Sequence, residues 1–182
     1  MPGCENRWQF SNGIMAKTNQ FSIESVTLSE LPPGLRKLLA LFLITVALAY
    51  GVGLGYVYFN TNLTPTGIRE DFRGSETAMK FEKPTGEMFQ TVHNHMFGLS
   101  IVFLLTGTIF SFSSMKPGAL KTFFLSEPFV SIIVSFGSFW LVRYVSPNWT
   151  WLLMLSGFLM ALGLLVQWSV SLYDLIIRPY LR

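Results

Sequence analysis

Charge is scarce in this chain. Asp, Glu, Lys and Arg make up only 13% of its 182 residues, about half the share of typical soluble domains. Cysteine is scarcer still. Cys4 stands alone, which excludes an internal disulfide, a Cys-rich metal cage and a Cys-x-x-Cys redox pair. Only Met1, Pro2 and Gly3 precede Cys4, so the apolar run that a lipoprotein cysteine requires is missing. No His-Glu-x-x-His pair, phosphate-binding glycine loop, nucleophile–base pair or paired carboxylates can be named. The expectation is therefore that the chain is not an enzyme. The net charge of +3 is small and dispersed, and gives no nucleic-acid footprint.

Apolar residues are abundant, at 51% of the chain, and they fall into four blocks. Each is long enough to cross a hydrocarbon core of about 30 Å, which takes roughly 20 helical residues. The sequence thus predicts an all-α membrane protein, a four-transmembrane-helix bundle. It has a polar N-terminal tail over 1–34 and a transmembrane domain over 35–182, with spans at 35–59, 86–114, 126–145 and 146–177. One long outer loop, 60–88, joins the first two. The first block begins near Leu38, too far in and too long for a cleaved signal peptide, and is expected to remain as an anchor. Thr85 with Glu87 is expected to cap the second span, and Ser126-Glu127-Pro128 to open the third. The first 30 residues carry no helical or alternating pattern and read as an extended tail, mobile or laid on a partner.

Lys and Arg set the orientation. With the N-terminus inside, the inner side holds Arg7, Lys17, Arg36, Lys37, Lys116, Lys121, Arg178 and Arg182. The outer side holds Arg69, Arg73, Lys80, Lys83 and Arg143, and acids in the 60–88 loop offset most of these. Both termini are read as cytoplasmic. Trp140, Tyr144, Trp149 and Trp151 then form an outer aromatic belt, and Trp168 with Tyr173 an inner one.

Small and polar residues recur at helical spacing, as they do where membrane helices touch. They are Gly51 and Gly55 in the first span and His93, Ser100, Gly107, Ser111 and Ser114 in the second. The third has Glu127, Ser131, Ser135 and Ser138, and the fourth Ser156, Met160, Gly163, Gln167, Ser171 and Asp174. Helix packing accounts for these stripes; a pocket for a ring-shaped cofactor or a quinone is the alternative. Glu127, Arg143 and Asp174 read as interfacial anchors.

The two histidines, His93 and His95, sit at the outer end of the second span. Two positions on a helix are about 200° apart, so they face opposite ways. His93 aligns with Ser100 and Gly107 and should face inward; His95 should face a neighbouring helix, a partner or the interface. An inward histidine could ligate a b-type haem or a chlorin, with the second haem ligand coming from Met160, another methionine or a second subunit. A copper site from Met88, His93, His95 and Met96 is a weaker alternative. Hydrogen bonding to helices or headgroups, with no cofactor, explains the pair equally simply.

The runs TVHNHMFGLSIVFLLTGTIFSF, LSEPFVSIIVSFGSFWLVRY and WLLMLSGFLMALGLLVQWSVSLYDL resemble a family of small bacterial inner-membrane proteins. Its members share a His-x-His second span, a short basic turn and a Gly-Ser-Trp-like third span. The resemblance implies a four-helix fold in the bacterial inner membrane. Some members carry a Cys-x-x-Cys-His haem-attachment segment in the outer loop, which implies electron transfer. The loop here has no cysteine, so no c-type haem attaches. The expected role is a non-catalytic accessory subunit of a larger membrane complex, in contact with lipid and other subunits. A haem b or chlorin carrier, or a small transporter or membrane enzyme, are the rivals.

The topology is testable. Reporter fusions after Lys121 and after Arg182 are expected to report the cytoplasm, and one after Ser75 the outer side. An outer signal at Arg182 contradicts the four-span count.

Overall fold

Hydrocarbon offers no hydrogen bonds, so an apolar block that enters it must satisfy its backbone internally, and it does so as a helix. The computed structural model describes residues 27–181. It has α1 (Pro33–Thr61), α2 (Pro65–Arg73), α3 (Thr85–Ser111), α4 (Ala119–Trp140) and α5 (Thr150–Leu172). A π turn, Leu141–Val145, extends α4. A 3-10 turn, Pro147–Trp149, leads into α5, and a second π turn, Tyr173–Ile177, follows it. Four helices are long and apolar enough to cross a membrane: Pro33–Thr61, Thr85–Ser111, Ala119–Val145 and Pro147–Tyr180. The chain is an all-α bundle of four spans. The central contact is α4 against α5, with α3 packed on both.

Four expectations need correction. Ser126, Glu127 and Pro128 do not open the third span: α4 starts at Ala119 and carries Pro128 inside it. The Ser126 hydroxyl turns back to the Thr122 carbonyl at 3.0 Å instead of capping. Lys121 consequently lies in the first turn of α4, not in the connecting turn. Thr85 is not a cap either. Pro84 precedes the helix without a side-chain cap, and the Thr85 hydroxyl meets the Tyr144 hydroxyl at 2.7 Å.

The 60–88 segment is likewise more than a loop. Asn62 and Leu63 adopt left-handed φ angles of 52° and 51°, which reverses the chain. The Thr64 side chain then accepts from the Gly67 amide, and Pro65 preforms the first turn of α2. Ile68 and Phe72 of α2 pack with Met88 and Val142 over the ends of α4 and α5. Finally, the tail is not uniformly loose. Leu28, only 1% exposed, packs with Ala40, Leu43, Ile109 and Leu175, and its amide donates to the Phe112 carbonyl at 3.1 Å. The rest of the proposed tail, residues 1–26 with Cys4, lies outside the described residues.

Charges lock α2 in place. Arg73 donates to the Val142 carbonyl at 3.1 Å and Arg69 to the Pro147 carbonyl at 3.3 Å. The π turn sends the Ser146 amide to the Leu141 carbonyl, leaving the Val142 carbonyl open to such a donor. Lys83 pairs with Asp71 at 2.8 Å and Arg143 with Glu82 at 2.9 Å. Trp140 and Tyr144 stack beside them with centroids 6.0 Å apart.

The sharp reversal depends on Gly67, which has no room for a side chain against the Thr61 carbonyl. Gly67→Ala is expected to cost about 1–3 kcal/mol through overpacking, read as a lower melting temperature in detergent. Gly86→Ala, where a new Cβ meets nothing within 4 Å, should leave it unchanged.

Candidate functional site

Pro128 has no amide hydrogen, so inside α4 it leaves the Phe124 carbonyl without its helical donor. In lipid that carbonyl needs another. Gln167 of α5 supplies it, its side-chain amide donating to Phe124 at 2.6 Å. Thr106 of α3 donates to the Gln167 carbonyl oxygen at 2.9 Å. One glutamine therefore joins three helices. It was visible in the sequence as a member of a stripe, whereas Thr106 was missed because its neighbours on α3 are apolar.

The rest of the α4–α5 seam is polar and close. Ser131 bonds to the Glu127 carboxyl, and Ser135 donates to Ser156 at 2.8 Å. Ser138 turns to the Val134 carbonyl at 2.6 Å. Glu127 is 8% exposed, far from the interfacial anchor expected of it. Its second carboxyl oxygen has no partner and lies against Gly163, where a Cβ would come within 3.0 Å of both that oxygen and the Pro128 ring. Beside it, a lipid-side groove of about 300 Å³ runs between α4 and α5, lined by Val130, Val134, Leu155 and Leu159 among others. Ser126, Glu127, Ser131 and Ser156 also line it, so polar groups stand along a mainly apolar groove. Gly107 is buried, and a Cβ there would make an ordinary 3.6 Å contact with Leu125.

Asp174, 0% exposed, is buried near the end of the last span. It accepts from the Ser114 amide at 2.5 Å and pairs with Arg178 at 3.2 Å. Lys121 donates to the Ser113 and Met115 carbonyls at 3.1 and 3.2 Å. Acid and lysine together hold the Ser113–Met115 turn that follows α3, satisfying its backbone amide and carbonyls. Sequence spacing could not reveal this, because Ser114, Lys121 and Asp174 meet only in the folded bundle.

His93 is placed differently from expectation, whereas His95 lies beside a neighbouring helix as expected. His93 is exposed and does not face inward. The interior of α3 is Met88, Val92, Met96, Leu99, Phe103, Thr106 and Phe110, and His93 stands about 100° from Val92. His95 is exposed too, its Nδ1 2.9 Å from the Thr91 carbonyl and its ring 6.0 Å from Phe136 of α4. Met160 is packed in the cluster around Phe103. Among the described residues no group of three or more His, Cys, Asp or Glu could hold a metal. Ser100 is half-buried, whereas Ser111 and Ser114 are exposed. Gly51 and Gly55 touch nothing within 4 Å of a would-be Cβ, so they are not packing residues within this chain.

These features define a polytopic helical membrane protein. Residues 62–180 match the Aq_1264_TM family, described as a transmembrane helical domain. That match spans more than half of the chain, which belongs to this family. No curated protein and no solved structure matches it.

The Pro128–Gln167 pairing predicts a measurable coupling. Gln167→Leu is expected to cost about 1–2 kcal/mol, because it leaves the Phe124 carbonyl bare. In a Pro128→Ala background, where residue 128 regains its amide, the same change should cost clearly less. Equal costs in both backgrounds would show that Gln167 does not act through that carbonyl.

Proposed function

We propose that this chain is a non-catalytic accessory subunit of a larger bacterial inner-membrane complex, with both termini cytoplasmic. One observation carries the proposal: the most apolar 18-residue stretch of α1 is only 11% buried within the chain. Leu28 and Leu43 fasten one end of α1, and the Thr61–Gly67 junction fastens the other. Between them Gly51, Gly53 and Gly55 meet no neighbour. Glycines repeated in this way let another helix backbone approach closely. A buried polar seam bonded helix to helix fits an accessory role. The resemblance to proteins with haem-attaching relatives supports an electron-transfer setting.

A photo-crosslinking residue at Gly53, used in native membranes, is expected to trap a distinct membrane protein, and one at Phe97 of α3 should not trap the same protein. If native-membrane mass analysis shows this chain alone and Gly53 traps nothing, the accessory role fails.

A further inference from the structure

Three polar side chains on α3 have no use within the chain. Gln90, His93 and Asn94 are all exposed, and none of their side chains has a hydrogen-bond partner in the fold. Their depth makes this costly. The aromatic belt lies beside the first turns of α3, with Thr85 on Tyr144 and Phe89 4.6 Å from Trp140. His93 and Asn94 lie about one turn further in, roughly 6–8 Å past Phe89. The 27 residues of α3 span about 40 Å, some 10 Å more than the hydrocarbon. The two side chains therefore fall at hydrocarbon level, where lipid satisfies neither donors nor acceptors.

The same face supplies a shape. Helical rotation places Gln90, His93, Asn94, Phe97, Gly98, Ile101 and Leu105 within one broad sector. Phe97 projects from it, 67% exposed, and a Cβ on Gly98 would meet nothing within 4 Å. A large side chain thus stands next to a notch. Glutamine, asparagine and histidine each both give and accept hydrogen bonds. A face with these properties is complementary to itself, as a two-fold contact requires.

We propose that this face of α3 pairs with the same face of a second copy of this chain. Gln90, His93 and Asn94 of each copy bond across the axis, and Phe97 of one seats over Gly98 of the other. The contact lies on a different helix from the glycines of α1, so it stands whether or not a second kind of subunit binds there.

The test is cysteine crosslinking of the full chain in membranes, in a Cys4→Ser background. Asn94→Cys and Gly98→Cys, both at exposed positions, are each expected to give a disulfide-linked dimer on oxidation. Leu48→Cys, on α1 and 68% exposed, should give none. Adding Gln90→Leu and Asn94→Leu to Gly98→Cys should lower the dimer yield several-fold, because leucine is content in lipid. The proposal is overturned if neither α3 cysteine yields a dimer, or if Leu48→Cys dimerises as readily. It is also overturned if the linked product contains a different protein. Labelling of Asn94→Cys by a membrane-impermeant maleimide as fast as Ser75→Cys would overturn it too, since a side chain in water needs no partner.

Discussion

Pro128 withholds a donor from the Phe124 carbonyl, and Gln167 returns it from the neighbouring helix at 2.6 Å. Much of the bundle is arranged around that exchange. In water the bare carbonyl would be hydrated; in hydrocarbon it must find a protein donor or carry a cost of about 1–3 kcal/mol. The glutamine can reach it only if α4 and α5 are close. Gly163 permits the approach, because its Cα gives way to the Pro128 ring and the Glu127 carboxyl. Ser135 and Ser156 then meet further along the same seam. Thr106 fixes the far side of the glutamine and so orients α3.

The two ends of the bundle are held by a different chemistry, and each is held by groups distant in sequence. At one end the π turn after α4 exposes the Val142 carbonyl, to which Arg73 donates, while Arg69 donates to the Pro147 carbonyl. At the other, Asp174 and Lys121 hold the turn that follows α3, and Leu28 closes the gap between α1, α3 and the turn after α5. Charged groups are thus concentrated where the chain leaves the spans. They act as fasteners there, and several that serve equally well as topology signals are bound to specific carbonyls.

What remains unused inside the chain is instructive. α1 is fastened at its ends and leaves its glycines open. α3 carries unpartnered polar groups beside a projecting phenylalanine. A monomer in lipid gains nothing from either feature, and both become sensible when a second surface covers them. The two proposed contacts, one for a different subunit and one for a second copy, each use one of these faces.

The spans themselves and their number were legible in the sequence, since length and apolarity alone decide whether a segment can cross hydrocarbon. So was the polar stripe of α4 and α5, since helical spacing is a local property. The start of α4 was not legible. Ser126-Glu127-Pro128 has the local form of a helix opening, and only the donor on Gln167 makes a continuing helix tolerable there. The same limit explains the other misplacements. His93 shares a stripe with Ser100 and Gly107 by spacing, yet the packing of α3 on α4 and α5 turned Val92 inward and left the histidine outside. Gly51 and Gly55 look like packing residues in any helix, but α1 presents them to the exterior. Periodicity tells which residues share a face; only tertiary contact, set by which faces bury the most and leave the fewest polar groups bare, decides where that face points.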